Sequence, residues 1–232
     1  MNATVAFLLL ALPPASASPS IDKSVALLYR QTDTGGMEMI CTATAFEKLK
    51  ELTLFLTAAH CVTEDEQDGK SRVVDVPLFL SMDERDSKDY VRASIVEVGV
   101  KERGYDYAVL SAALDLPRIP IGDERLERDN VKIRCVGAPA GIGKVTGFGH
   151  VALRFIDRPL RFDEQKINWA GAALVSVDDV EGGSSGSAIV SEDTGKIIGI
   201  LVGHYKSMVI AVPASRVATT DKANVLYRFN NP

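Results

Sequence analysis

Thr57-Ala58-Ala59-His60-Cys61 places a histidine where the apolar run Leu52-Thr53-Leu54-Phe55-Leu56 gives way to a polar loop. A single histidine is weak evidence for a site. Two later stretches add an aspartate and a serine: Tyr105-Asp106-Tyr107-Ala108-Val109-Leu110 and Gly182-Gly183-Ser184-Ser185-Gly186-Ser187-Ala188. The chain therefore carries His60, Asp106 and Ser185 in that order.

These three residue types suit nucleophilic catalysis. A serine hydroxyl is a weak nucleophile at neutral pH, so it needs a base in reach, and the base needs an orienting acceptor. We predict His60 as the base, Asp106 as its orienting carboxylate and Ser185 as the nucleophile. The backbone N–H groups of Gly183 and Ser185 are the predicted oxyanion donors, because the flanking glycines permit a tight turn.

The ordered motifs resemble those of the chymotrypsin-like (trypsin-type) serine peptidases. Ser185-Gly186-Ser187 and Ile198-Gly199-Ile200 are similar to motifs of the compact bacterial glutamyl-endopeptidase and HtrA-like members. The strand Cys41-Thr42-Ala43-Thr44-Ala45-Phe46 resembles the one before the histidine in those members. The resemblance implies two six-stranded antiparallel β-barrels with the site between them, and cleavage of polypeptides through an acyl-enzyme without a cofactor.

The hydrophobic pattern independently predicts an all-β fold. Short apolar or alternating runs rich in Val, Ile, Leu and Thr are separated by polar turns, which predicts about twelve strands. The runs are Ser24–Tyr29, Met39–Phe46, Leu52–Thr57, Val73–Leu80, Val91–Val98, Tyr107–Leu110, Val131–Val136, Val151–Ile156, Ala173–Val177, Ser187–Val190, Ile197–Val202 and Met208–Val212. One C-terminal helix is predicted from Pro213 to about Val225.

A charged, proline-broken stretch near residues 111–130 marks a soft boundary within the chain. We predict one peptidase domain over residues 18–232, with barrel subdomains at about 21–115 and 130–212. Residues 1–17 have the pattern of a signal peptide, because a short apolar run is followed by Pro13-Pro14 and Ala15-Ser16-Ala17. The start lacks a positive residue, so an uncleaved hydrophobic segment stays an alternative. We expect a secreted or periplasmic protein, with no membrane association in the mature form.

The chain has three cysteines. In an oxidising compartment, Cys41 and Cys61 could pair across a loop of about 20 residues, which would contribute about 3 kcal/mol in the chain-entropy model. The related peptidases often place a disulfide here, so the resemblance implies the same pairing. Cys135 lies among apolar residues and is predicted to be a buried strand thiol.

Other residues of the sequence compete less well for these roles. Asp115 reads as a turn residue, whereas Asp106 begins a buried strand. His150 is predicted to lie on the surface. The α/β-hydrolase motif Gly-x-Ser-x-Gly does not fit, because it needs a glycine two residues after the serine, and Ser187 stands at that position.

The S1 pocket is predicted between residues 177–182 and 200–204. Its candidate residues are Asp179, Leu201, Val202, Gly203 and His204. Asp179 lies where trypsin places its selector for basic residues, but the loop lacks trypsin's cysteine. Glutamyl members place a histidine near Leu201, so an acidic preference would depend on His204, and a modest apolar pocket is the default.

Ser184 stands where digestive relatives carry the aspartate that pairs with a new N-terminus, so we expect no such activation switch.

The net charge is −5 and the basic residues are scattered, which argues against nucleic-acid binding. The acidic residues fit solvated loops better than a metal site. We expect a serine endopeptidase without metal or cofactor. The alternative is a catalytically weak or inactive peptidase-fold binding protein, whose cleft is blocked or whose Gly183 peptide is collapsed. The oligomeric state is not predicted.

Overall fold

The structure is a computed structural model. It describes residues 21–66, 70–82, 89–122, 130–138, 143–153, 160–162, 165–167, 173–177, 183–205, 208–219 and 225–228. The predicted signal peptide and Asp179 lie outside these residues. The strands are β1 (Val25–Gln31), β2 (Met37–Leu49), β3 (Leu52–Thr57), β4 (Thr63–Asp65), β5 (Ser71–Val73), β6 (Leu78–Ser81), β7 (Val91–Gly99), β8 (Ala108–Ala112), β9 (Lys132–Gly137), β10 (Val145–Leu153), β11 (Leu160–Phe162), β12 (Gln165–Ile167), β13 (Ala173–Val177), β14 (Ala188–Ser191), β15 (Ile197–Tyr205), β16 (Met208–Pro213) and β17 (Val225–Arg228). One short helix, α1, spans Ser215–Thr219.

The first barrel is an antiparallel sheet in the order β17-β7-β6-β1-β2-β3-β8. A further pairing between β7 and β8 curls this sheet round on itself, from Ala93 opposite Ala112 to Val98 opposite Ala108. Its interior is filled by fully buried apolar side chains, among them Leu28, Phe55 and Leu110. Burying these side chains provides the main favourable term for closing the sheet.

The second barrel is closed, in the order β10-β13-β16-β15-β14-β9. Ile133, Ile189 and Leu201 belong to its own buried cluster. Ile200 and Val212 instead join the cluster that contains the first-barrel core. The two barrels therefore share an apolar interface.

The all-β, two-barrel prediction is confirmed, and the differences are local. The run Val73–Leu80 is not one strand but the end of β5 and the start of β6, with Pro77 just before β6, where a missing N–H does no harm. β10 begins at Val145 rather than Val151, because Gly147 and Gly149 weaken its strand pattern in the sequence.

The predicted C-terminal helix is wrong in its extent. α1 ends at Thr219, and Val225 begins β17, which pairs with β7 opposite Gly99. Val225-Leu226-Tyr227 has the β-branched and aromatic composition of a strand. Its partner is an edge provided by the distant strand β7, and a local pattern cannot show such a partner.

The cysteines are arranged as predicted. Cys41 in β2 is bonded to Cys61, with the two Cα atoms 6.1 Å apart. Cys135 is a free, buried thiol, and burial raises its pKa to about 12, so it is not a reactive group. Within the described ranges, no helix has the length and apolar character needed to cross a membrane.

Candidate active site

His60 lies in a short 3-10 turn, Ala59–Cys61, directly after β3. The disulfide ties the next residue, Cys61, to β2. The Nδ1 atom of His60 lies 2.9 Å from Oδ2 of Asp106, and the backbone N–H of His60 donates to Oδ1 at 3.0 Å. Asp106 is only 3% exposed. The two donors of His60 satisfy its buried carboxylate and fix the direction of that group.

The pKa of His60 is raised above its ordinary value. Burial acts in the opposite direction, because it disfavours the charged imidazolium. The negative charge of Asp106 and the hydrogen bond to it outweigh burial. Farther charges modify the balance, since Lys101 lowers the pKa and Asp65 raises it. The imidazole is therefore a stronger base than a free histidine, with its Nδ1 side held by Asp106.

The loop that carries Asp106 is fixed on both sides. Lys101 forms an ion pair with Asp65 of the hairpin that follows His60. On the other side, Arg216 of α1 donates to the carbonyl of Gly104 and stacks over the ring of Tyr105, 4.7 Å from its centroid. Sequence reasoning missed Arg216, because its position gives no local signal of a contact more than a hundred residues away.

Ser185 lies in a glycine turn before β14. Gly183 and Gly186 have positive φ angles of 95° and 84°, which glycine adopts without strain. The N–H of Gly186 donates to the carbonyl of Leu201 at 2.8 Å, and the N–H of Ser187 donates to that of Ser184 at 3.0 Å. The first bond fixes the turn to β15 of the second barrel, and the second closes the turn on itself.

Strand β2 of the first barrel also holds this turn. The N–H of Thr42 donates to the carbonyl of Ser185 at 2.9 Å, and the Thr42 hydroxyl donates to the carbonyl of Gly183 at 3.1 Å. The sequence predicted this strand from its apolar pattern and from the resemblance, but it gave no role to Thr42.

A cavity of about 390 Å³ brings His60 and Ser185 together. Its other lining residues all come from the first barrel: Arg30, Glu38, Met39, Ile40, Cys41, Cys61, Thr63, Val74 and Leu78. Nε of Arg30 lies 2.8 Å from a carboxylate oxygen of Glu38, and both side chains are about half exposed. The cavity wall therefore mixes apolar side chains with polar groups, among them one neutralised charge pair.

The residues predicted for the S1 pocket are not brought together in the same way. Leu201 is 1% exposed and packs in the second-barrel core. Val202 is buried, Gly203 is half-buried and His204 is exposed on β15. Asp179 lies outside the described residues, so the S1 assignment stays a prediction.

Ser184 has clearly defined surroundings. Ser184 is buried, and a Cβ on Gly137 would lie only 2.8 Å from its Oγ atom, so Ser184 packs tightly on β9.

Among the described residues, Cys41, His60 and Cys61 have potential metal-ligating atoms within 4.8 Å of one another. The two sulfurs are bonded to each other, so in this state they cannot act as thiolate ligands.

Comparison with known proteins gives a consistent result. A family model described as the trypsin-like peptidase domain matches residues 41–200. No curated protein matches the chain at a significant level.

Solved structures share the fold at low identity. Rv3671c from M. tuberculosis in an inactive form is 15% identical, with a TM-score of 0.60 over 90% of this chain and 94% of that one. The HtrA-type protease AlgW with a decapeptide is 17% identical, with a TM-score of 0.61 over 85% and 62%. A serine endoprotease from Yersinia pestis is 18% identical, with a TM-score of 0.59 over 90% and 66%.

The close fit of the serine turn against the first barrel predicts that Gly186→Ala is strongly destabilising. A Cβ there would lie 2.2 Å from the Thr57 hydroxyl oxygen and 2.3 Å from the Thr42 carbonyl oxygen. Gly35 is a matched control, since its φ of 82° is similar and a Cβ would meet nothing within 4 Å. We expect Gly35→Ala to cost about 1 kcal/mol for the left-handed backbone alone, and Gly186→Ala about 3 kcal/mol or more. Denaturant unfolding measures both, and equal losses would contradict the packing seen here.

Proposed function

The chain belongs to the family of trypsin-like peptidase domains, and from this premise we propose that it is an exported serine endopeptidase with His60, Asp106 and Ser185 as its catalytic triad. One observation carries the proposal. The His60–Asp106 pair and Ser185 come from different barrels and meet at one cavity. Such a base–orienter pair beside a serine is what acyl transfer to a hydroxyl requires.

In the proposed mechanism, the Oγ of Ser185 attacks the carbonyl carbon of the scissile bond while Nε2 of His60 accepts its proton. Asp106 stabilises the imidazolium that forms. The N–H groups of Gly183 and Ser185 donate to the oxyanion. Collapse of the tetrahedral intermediate breaks the C–N bond, and His60 returns the proton to the departing amine. A water molecule then attacks the acyl-enzyme, and His60 accepts a proton from that water. When the C–O bond to Ser185 breaks and the acid product leaves, His60 gives this proton to the Oγ of Ser185.

The substrate is proposed to be a polypeptide. The cavity beside Ser185 is lined almost wholly by first-barrel residues, whereas the predicted S1 wall lies in the second barrel. We therefore assign the first-barrel cavity to the residues that follow the scissile bond. The HtrA-type protease AlgW has been crystallised with peptides, which is consistent with a peptide substrate for this fold.

Export is proposed from two features that agree. Residues 1–17 have the pattern of a cleavable signal, and the Cys41–Cys61 disulfide suits an oxidising compartment. Because this disulfide lies beside His60, an oxidising environment would also preserve the geometry of the site.

A fluorophosphonate probe tests the nucleophile. We expect the purified protein to be labelled once per chain and Ser185→Ala to take no label. Ser184→Ala is the matched control, since its hydroxyl is buried, and it should still be labelled. Turnover of denatured casein, abolished by His60→Ala, separates the enzyme from a binding protein of the same fold. A folded, unlabelled protein without turnover would overturn the proposal.

The raised pKa of His60 predicts how activity depends on pH. His60 must be neutral to accept the proton, so kcat/KM falls as pH drops below its raised pKa. Asp106→Asn removes the two largest causes that raise this pKa and leaves burial, the largest cause that lowers it. The acidic limb should therefore move to lower pH while the plateau falls by about 10⁴-fold. A pH profile of kcat/KM measures both, and a limb that moves upward would contradict the assignment.

The Arg30–Glu38 pair predicts opposite charge preferences in two variants. Arg30→Gln leaves a lone carboxylate in the cavity, so substrates with Lys or Arg after the scissile bond should gain about two- to fivefold in relative kcat/KM. Glu38→Gln should favour Asp or Glu by a similar factor. Internally quenched peptides that differ only after the scissile bond measure this.

The control is Arg118→Gln, which removes an exposed arginine paired with Asp115 away from the cavity lining. It should leave the preferences unchanged. The same preference in both cavity variants would contradict the assignment of this cavity.

A further inference from the structure

Thr42 makes three hydrogen bonds from the first barrel to the second. It is fully buried in β2. Besides the two bonds that it donates to the serine turn, its hydroxyl accepts from the N–H of Ala138 at 3.3 Å. Its carbonyl accepts from the Thr57 hydroxyl at 2.8 Å. The side chain of Thr42 thus has polar partners in the second barrel and no freedom to leave them without cost.

The direction of the Thr42 hydroxyl follows from this bonding. A hydroxyl has one proton and two acceptor lone pairs. Because the N–H of Ala138 points at the oxygen, that contact uses a lone pair and leaves the proton for the carbonyl of Gly183. The N–H of Ala138, just after β9, therefore leaves the Thr42 hydroxyl proton directed at the carbonyl of Gly183.

The bonded carbonyl lies at a decisive place in the turn. The Gly183–Ser184 peptide separates the two proposed oxyanion donors, the N–H groups of Gly183 and Ser185. Rotation about the backbone bonds of Gly183 would turn those donors apart, and glycine offers little resistance to such rotation. Thr42 holds the Gly183–Ser184 peptide through its hydroxyl and the Ser185–Gly186 peptide through its N–H. The Ser184–Ser185 peptide, which carries the Ser185 donor, therefore lies between two peptides that are fixed.

We propose that Thr42 is a positioning residue that preorganises the oxyanion hole before substrate binds. This inference rests on the proposed peptidase function. Digestive relatives carry an aspartate at the position of Ser184, and it pairs with the ammonium group of a new N-terminus. Ser184 cannot form that ion pair. The Thr42 hydroxyl provides the corresponding restraint from within the folded first barrel, without processing of the chain.

The test compares Thr42→Val with Thr42→Ser in the full-length chain. Valine keeps the shape and removes the hydroxyl, whereas serine keeps the hydroxyl. Thr44→Val is the matched control, because Thr44 is equally buried in the same strand and its hydroxyl accepts from the N–H of Ala188 at 3.4 Å, beyond the turn. All four proteins are assayed below their unfolding temperatures.

We expect Thr42→Val to lower kcat/KM by about ten- to a hundredfold, mainly through kcat, since donors misplaced by a fraction of an ångström stabilise the transition state less. The inhibition constant of a peptide aldehyde, whose adduct carries an oxyanion, should rise by the same factor. The acidic limb of the pH profile should stay in place, because His60 and Asp106 are untouched. Thr42→Ser and Thr44→Val should remain within about threefold of the unchanged protein.

Hydrogen exchange at residues 183–187 gives a readout that needs no turnover. Thr42→Val should speed exchange of the Gly186 and Ser187 amides relative to Thr44→Val. If the unchanged protein is inactive but this difference is present, the peptidase proposal fails and the positioning role stands. If Thr42→Val matches Thr44→Val in exchange, kcat/KM and aldehyde inhibition, Thr42 is only a packing residue and the inference is overturned.

Discussion

The backbone bond from the N–H of Thr42 to the carbonyl of Ser185 is the contact on which the site depends. The residue before it, Cys41, is bonded to Cys61 beside His60. Two consecutive residues of β2 therefore hold the histidine turn on one side and the serine turn on the other. Nucleophile and base must be placed within about half an ångström to work. Because both turns are attached to β2, a small shift between the barrels does not directly displace Ser185 from His60.

The electrostatics of the site follow from burial as much as from charge. A buried imidazole without a partner would be a poorer base, since burial disfavours its protonated form. Asp106 reverses this effect only because its carboxylate is itself buried and held by the backbone of the same histidine. The surrounding ion pair of Lys101 and Asp65 is more exposed and screened by water. It braces the loop more than it sets the charge of His60.

Sequence reasoning predicted the parts whose information is local. The motifs around His60, Asp106 and Ser185 could be interpreted without knowing what lies beside them, and so could the apolar run of β3. The fold class followed from the short apolar runs. What could not be predicted depends on distant partners: β17 needs the free edge of β7, and Arg216 needs the carbonyl of Gly104. Thr42 looks like any strand threonine until the serine turn is folded onto it. The subdomain limits and the S1 residues stay predictions.

The division of the cleft between the barrels bears on how specificity would arise. The described cavity at Ser185 belongs almost entirely to the first barrel, and its mixed polar and apolar wall includes the neutralised Arg30–Glu38 pair. The predicted S1 wall belongs to the second barrel. Leu201, one of its candidate residues, is buried in the core of that barrel. A substrate spanning the cleft would therefore be held by side chains that fold in separate sheets and meet only through the shared interface. Specificity on the two sides of the scissile bond could then change independently, because a substitution that alters one wall leaves the packing of the other barrel intact.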